Sequence, residues 1–268
     1  MPGPFTTATA VSPAGDGVWA GAIDAGWDIG GKANGGYLLA IAARALLGAT
    51  RRPDPVTVTG HFLSPGPPGA VRVATQVLKQ GRRFATAAGT LLAGDRPLLA
   101  VLGTCGDLAE TAGPELVDGA PPDLPPPGDC VAHRPGRATA ASPPAFMDRV
   151  DLRLHPEDAS FATKGPSGQA LVRGWFRFPD DEPVDTVGLL CAVDAFPPTV
   201  FNAGLPVGWV PTVELTVHVR ARPVPGWLRC RFSTRFVTSG FLEEDGEVWD
   251  ATGRLVAQSR QLALVALS

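Results

Sequence analysis

An α+β fold built twice in one chain, each copy a long helix wrapped by a curved antiparallel β-sheet, is predicted by three observations. The first is an internal repeat. Shifting the sequence so that His61 falls on His218 lays Val56 to Leu102 onto Val213 to Ser259 without a gap, with Pro68-Gly69 on Pro225-Gly226, Arg72 on Arg229, Phe84 on Phe241, Gly89 on Gly246, and Leu98 and Ala100 on Leu255 and Ala257. About ten of roughly fifty positions are identical and the apolar alternation stays in phase, as a duplicated supersecondary unit requires. The second observation is that each half reads as one helix-like run plus several short alternating runs, a pattern of helix packed on sheet. The third is a proline-dense stretch, Pro114, Pro121-Pro122, Pro125-Pro126-Pro127, Pro135 and Pro143-Pro144, which sustains neither helix nor ladder. The predicted division is residues 1–112, a linker over 113–144, and residues 145–268.

In the first half Val18 to Ile23 reads as a short strand. Asn34 caps a run from Tyr37 to Leu47 that is apolar all round, as a buried helix is. Strands follow at Val56 to Phe62, Ala70 to Leu78, Phe84 to Ala93 and, after the Gly94-Asp95 turn, Pro97 to Cys105. In the second half strands are predicted at Met147 to Leu154 and Ala170 to Phe178. A helix is predicted from Pro183 to Phe196, with Pro183 in its first turn and Pro197-Pro198 as its stop. Strands at Thr212 to Arg220, Trp227 to Phe236, Gly240 to Trp249 and Leu255 to Val265 complete it, the last preceded by the turn Asp250-Ala251-Thr252-Gly253.

Composition narrows the function. The 268 residues are 44% hydrophobic and 18% charged, with a net charge of −3, which suits a globular protein with a large interior. No Lys/Arg-rich run with interleaved aromatics occurs, so nucleic acid is not an expected partner. Neither a signal peptide nor a membrane-spanning run is evident, and a cytoplasmic location without membrane association is expected. Cys105, Cys130, Cys191 and Cys230 are widely spaced, and neither a disulfide framework, a metal site nor a cofactor is indicated. G-x-S-x-G, G-x-x-x-x-G-K-[ST] and G-x-G-x-x-G are all absent; Gly30-Gly31-Lys32-Ala33 lacks the Ser or Thr of a phosphate loop.

What remains is polarity where a core is normally apolar. Asp194 stands near the end of the second predicted helix among apolar neighbours, and a desolvated, partnered carboxylate is a natural general base. Its alternative is an exposed Asp before Pro197. Thr212 opens a strand on which strict alternation places Thr212, Glu214, Thr216 and His218 on one face, and Gln261 lies in the last strand. The repeat puts Pro55 and Thr104 at the positions of Thr212 and Gln261, so the halves differ where catalytic polarity would matter. The alternative is a sheet face turned to water. His61 and His218, a matched pair, read as structural, and Cys105 lacks a neighbouring His for nucleophilic work.

The chain resembles the double-hotdog acyl-CoA thioesterase family, of the thioesterase II type. The resemblance is carried by Asn34-Gly35-Gly36-Tyr37, Gly60-His61-Phe62-Leu63-Ser64-Pro65-Gly66, Gly81-Arg82-Arg83-Phe84, Val193-Asp194-Ala195, Pro211-Thr212-Val213-Glu214 and Val256-Ala257-Gln258-Ser259-Arg260-Gln261. It implies a double hotdog fold, a place in fatty acid metabolism, and an Asp, Thr and Gln that hold the attacking water; these become Asp194, Thr212 and Gln261. The Asp-His that commonly follows the family's Thr is Glu214-Leu215 here.

The implied reaction is hydrolysis of acyl-CoA, or of an acyl-carrier thioester, by water. Backbone N–H groups of Gly35 and Gly36 at the first helix start are the expected oxyanion donors, with Asn34 beside them and Glu214 lining or closing the pocket. Arg82-Arg83 and Arg220/Arg222 are candidates for coenzyme A phosphates, the alternative being solvated surface. Two alternatives stand: a hotdog enzyme that dehydrates or cyclises a thioester-bound biosynthetic intermediate, and a non-catalytic acyl-thioester binding protein. The Asp-x-Asn-x-x-His signature of hotdog hydratases is absent, since Thr199 stands five residues after Asp194. A homo-oligomer is compatible with exposed sheet edges.

Overall fold

A computed structural model describes residues 3–111, 113–132, 144–162, 164–205 and 208–265. The chain opens with helix α1 (Pro4–Ala8), strands β1 (Ser12–Gly15) and β2 (Val18–Ile23), and a small hairpin of β3 (Asp28–Ile29) and β4 (Lys32–Ala33). Helix α2 (Gly35–Thr50) follows, then the meander β5 (Asp54–Phe62), β6 (Gly69–Gln80), β7 (Ala85–Ala93) and β8 (Arg96–Gly106). The second half holds β9 (Val131–Ala132), β10 (Asp151–Leu154), β11 (Leu171–Arg177), helix α3 (Gly188–Ala192), β12 (Thr212–Val219), β13 (Leu228–Ser233), β14 (Val237–Thr238), β15 (Phe241–Trp249) and β16 (Leu255–Leu264).

The two halves share one sheet of fourteen strands in the order β1-β2-β6-β7-β8-β5-β12-β16-β15-β13-β11-β10-β9, with β14 paired to β15. The order reads the same from both ends: β5, β8, β7 and β6 answer β12, β16, β15 and β13. The seam is the antiparallel pair β5–β12, in which Thr59 lies opposite Thr216, His61 opposite Glu214 and Thr57 opposite His218. Thr59 and Thr216 are equivalent positions of the repeat, 157 residues apart, and their hydroxyls meet at 2.9 Å. A pseudo-twofold axis therefore passes through this pair. The sequence repeat is the linear trace of that axis.

Helix α2 is buried on almost every side, from Gly36 through Leu46 save Arg44, and its Ala and Leu side chains fill the concavity of the sheet. Tyr37 stacks on Trp27 at 4.9 Å. The second helix is shorter than the predicted Pro183–Phe196: α3 spans only Gly188–Ala192. The Asp185 carboxylate takes the Gly188 N–H at 2.6 Å and fixes a turn ahead of the helix, while Asp194 is drawn away to α2, so the run ends before Pro197-Pro198. The predicted strand Met147–Leu154 begins as a 3-10 turn at Ala145–Asp148. Of the proline-dense segment, residues 133–143 lie outside the described residues. The described stretch before them is packed on the second half, where Trp175 Nε1 donates to the Pro125 carbonyl at 2.8 Å and β9 pairs with β10. Among the described residues no helix is long and apolar enough to cross a membrane.

An ion pair between buried Asp54 and half-exposed Arg222 pins the halves beside the seam. Asp54, at the start of β5, accepts Arg222 Nη2 at 2.7 Å, Arg222 Nε at 3.0 and 3.1 Å, Thr186 Oγ1 at 3.0 Å and Leu108 N–H at 2.9 Å. Arg222 also reaches Asp107, so it is engaged in the fold rather than held ready for a phosphate. Burial pushes the Asp54 pKa up, but Arg222, Leu108 and Thr186 together hold it below the ordinary carboxylate value. A carboxyl whose folded pKa is depressed adds stability above its unfolded pKa, and that stability is lost as pH falls through the folded value. Asp54→Asn should lower stability at pH 7 by about 1–3 kcal/mol, because Arg222 is itself half exposed and screened. Thermal melts of both proteins from pH 7 downward should show the difference shrinking once the pH drops below the carboxylate range.

Candidate active site

The site begins at the N-terminus of α2. Asn34 caps the helix, its Oδ1 accepting the Tyr37 N–H at 2.9 Å. With its Nδ2 the same side chain donates to Asp194 Oδ2 at 2.9 Å and to the Asp194 carbonyl at 2.8 Å. Gly36 N–H donates to Asp194 Oδ2 at 2.7 Å, and Gly35 N–H supports the same carboxylate. A carboxylate from the second half thus sits on the positive end of the first half's helix, where free N–H groups and the dipole favour negative charge. Burial still pushes its pKa up to about 6, against the pull of Gly36, Gly35 and Asn34. At neutral pH Asp194 is ionised yet basic enough to take a proton.

Close approach is what allows this contact. A Cβ on Gly36 would stand 2.9 Å from Asp194 Cβ and 3.0 Å from Cys191 Cα, and closer still to the Leu190 carbonyl oxygen. One on Gly35 would meet Phe62 at 2.9 Å and Asp194 Oδ2 at 3.0 Å. The two glycines read as oxyanion donors therefore serve another purpose: the Gly36 N–H is given to Asp194, and the missing side chains let α2 and α3 touch.

Thr212 and Gln261 meet directly, Gln261 Nε2 donating to Thr212 Oγ1 at 2.8 Å. Both line, with Asp194, Asn34 and Gly35, one cavity of about 940 Å³. Strict alternation would have turned Thr212 outward. A β-bulge inserts one extra residue between Thr212, opposite Ala263, and Glu214, opposite Leu262, and re-aims Thr212 to the inner face. Leu215, Val217 and Val219 are buried inward, while Glu214, Thr216 and His218 share the outer face. Glu214 is hydrogen-bonded to Thr216 Oγ1 and is not a wall of the cavity, which corrects its predicted role as a pocket residue.

His61, opposite Glu214, and His218 lie on that outer face as well. All four cysteines are free and buried, and burial pushes the Cys105 and Cys191 thiols up, away from nucleophilic use. The group His155, Glu157 and Asp158 could hold a metal by spacing, but the Arg173 guanidinium already occupies it, at 3.3, 3.1 and 3.0 Å from the three side chains.

Two features escaped the sequence reading. Exposed Lys32 and Lys164 stand on the cavity wall, with Lys32 Nζ 4.7 Å from the Trp209 ring centroid. Glu244, buried on β15, also lines the cavity and accepts the Thr199 N–H at 2.8 Å. Its signal was a carboxylate on the inward phase of a strand, between inward Leu242 and Gly246, masked by the acidic run Glu243-Glu244-Asp245.

Comparison with known proteins gives a consistent picture. Residues 23–106 match the family model described as the acyl-CoA thioesterase N-terminal domain, and residues 121–265 that of the acyl-CoA thioesterase C-terminal domain. An uncharacterized protein of Mycobacterium tuberculosis is 32% identical over 97% of this chain and 98% of its own. A candidate thioesterase II of Thermobifida fusca, known from its crystal structure, is 33% identical, with a TM-score of 0.87 over 98% of this chain and 97% of that one. A protein of unknown function with a hot dog fold from Alicyclobacillus acidocaldarius shares the fold over the full length of both chains, with a TM-score of 0.86 at 22% identity.

The crowding at Gly36 inverts an ordinary rule. Alanine normally stabilises a helix relative to glycine, but Gly36→Ala should destabilise the protein by about 1–3 kcal/mol, because the added methyl has no space between α2 and α3. Denaturant melts should show the loss, and the same substitution at the exposed Gly128, where nothing lies near the Cβ position, should not reproduce it.

Proposed function

The chain belongs to the acyl-CoA thioesterase family, and on that premise we propose that it hydrolyses acyl-CoA thioesters to a free acid and coenzyme A by direct attack of water. The observation that carries this reading is the convergence on one cavity of a basic, helix-held carboxylate and a hydrogen-bonded Thr–Gln pair. Asp194 takes a proton from water while Thr212 and Gln261 orient it. The water oxygen bonds to the carbonyl carbon, the C–S bond breaks, and the proton held by Asp194 passes to the departing thiolate. A thioester needs no covalent enzyme intermediate, because its carbonyl is electrophilic and its thiolate is a good leaving group.

The walls support the substrate class. Phe62, Phe161, Phe196, Phe201 and Leu242 offer an apolar bed for an acyl chain, and the exposed Lys32 and Lys164 offer positive charge for phosphates where the cavity opens to solvent. A cavity of this size, apolar with a few convergent polar groups, is of the kind that buries a small ligand.

Asp194→Asn should fold as the wild type does and lose about 10²–10⁴-fold in hydrolytic rate, measured as thiol release from CoA thioesters running from acetyl to palmitoyl. A variant that turns over unchanged removes Asp194 from the mechanism. Because the base must be ionised, kcat/KM should climb as pH rises through about 6. Wild-type protein that is stabilised by acyl-CoA but releases no thiol would point instead to the binding-protein alternative.

A further inference from the structure

We infer that Glu244 is a second catalytic carboxyl of this site, a neutral acid whose O–H donates a hydrogen bond to the thioester carbonyl oxygen as negative charge develops on it. The inference rests on the hydrolytic reading above and assigns the oxyanion donor that the α2 N-terminus does not supply. Gly36 N–H and Asn34 Nδ2 both end on Asp194 Oδ2, and Gln261 Nε2 gives one hydrogen to Thr212. A developing oxyanion needs a donor from elsewhere on the wall.

Glu244 is placed for that work. In the β15–β16 ladder it lies directly opposite Gln261, and directly opposed residues of an antiparallel pair project on one face with Cβ atoms about 4.5–5.5 Å apart. Its side chain therefore enters the cavity beside the amide that holds Thr212. The Thr199 N–H fixes Oε2 at 2.8 Å. Only the second copy carries this acid, since the repeat puts the buried Ala87 at the same position in the first half.

The surroundings favour the protonated form of Glu244. Burial is the main cause, partly offset by Thr199, and the negative charges of Asp194 and Glu243 add to it, so that its pKa is pushed up to about 7. The cations on the same cavity wall, Lys32 and Lys164, are exposed to solvent, and Arg260 of the neighbouring strand is paired with Asp245. Two carboxyls in one apolar cavity do not both ionise readily, and the pair titrates as a unit. Asp194, tied to a helix end, takes the negative charge; Glu244 keeps the proton. This division into one ionised base and one neutral donor is a known way for two carboxyls to share a reaction.

A purely structural Glu244 would do no more than hold Thr199, and Glu244→Gln separates the two roles because glutamine keeps an acceptor for that N–H and a donor for the cavity but cannot titrate. The experiment is the pH profile of kcat/KM for thiol release by wild type, Glu244→Gln and Glu244→Leu, with melting temperatures recorded alongside. The wild type should rise through about pH 6 and fall again above about pH 7 as the donor is lost. In Glu244→Gln the alkaline fall should vanish while the acid limb stays, and Glu244→Leu, if folded, should lose about 10²–10³-fold in kcat with little change in KM. A profile with the same alkaline behaviour in wild type and Glu244→Gln overturns the inference and leaves the hydrolytic reading standing. Wild-type protein that releases no thiol from any thioester overturns both.

Discussion

The antiparallel pairing of β5 with β12 is the contact on which the remaining architecture depends. A half-sheet of six or eight strands would end in a row of unpaired backbone groups, and an open edge of that kind seeks another strand. Here the seam strand of each copy completes the other about a pseudo-twofold axis through Thr59 and Thr216. One continuous sheet results, and the two helices are in contact. The Asp54–Arg222–Thr186 cluster beside the seam holds the halves in that register.

Once the helices touch, the electrostatics of the site follow. A buried carboxylate is costly unless it is partnered, and the free N–H groups of a helix start are a ready partner. Asp194 finds them on a helix 158 residues away, at Gly36, and the absence of side chains at Gly35 and Gly36 makes the approach possible. Burial and hydrogen bonding oppose each other at this group. Their balance leaves a base that is charged at neutral pH but still avid for a proton.

Duplication supplies the scaffold, and divergence supplies the polarity. Where the second half has Thr212, Gln261 and Glu244, the first has Pro55, Thr104 and Ala87. The first half contributes instead the helix end and the Asn34 cap. The site is therefore assembled from unlike pieces of two like units, which a single copy could present only with a partner.

The sequence by itself determined the repeat, the longer strands though not β1, β3, β4, β9 or β14, the buried helix α2 with its Asn34 cap, and the membership of Asp194, Thr212 and Gln261 in a polar set. These depend on periodicity, capping and composition within short windows, or on a resemblance carried by contiguous motifs. Tertiary structure decided the rest. The length of α3 was set by Asp194 turning toward α2; the inward aim of Thr212 was set by a bulge that exists only in the pairing with β16; and the partner of the Gly36 N–H came from the other half of the chain. Glu244 looked like one member of an acidic surface run until the register of β15 turned it into the cavity. Alternation along a strand is a local property that a sequence displays, whereas the face that becomes interior, and the residue that breaks phase, are fixed by neighbours far away in the chain.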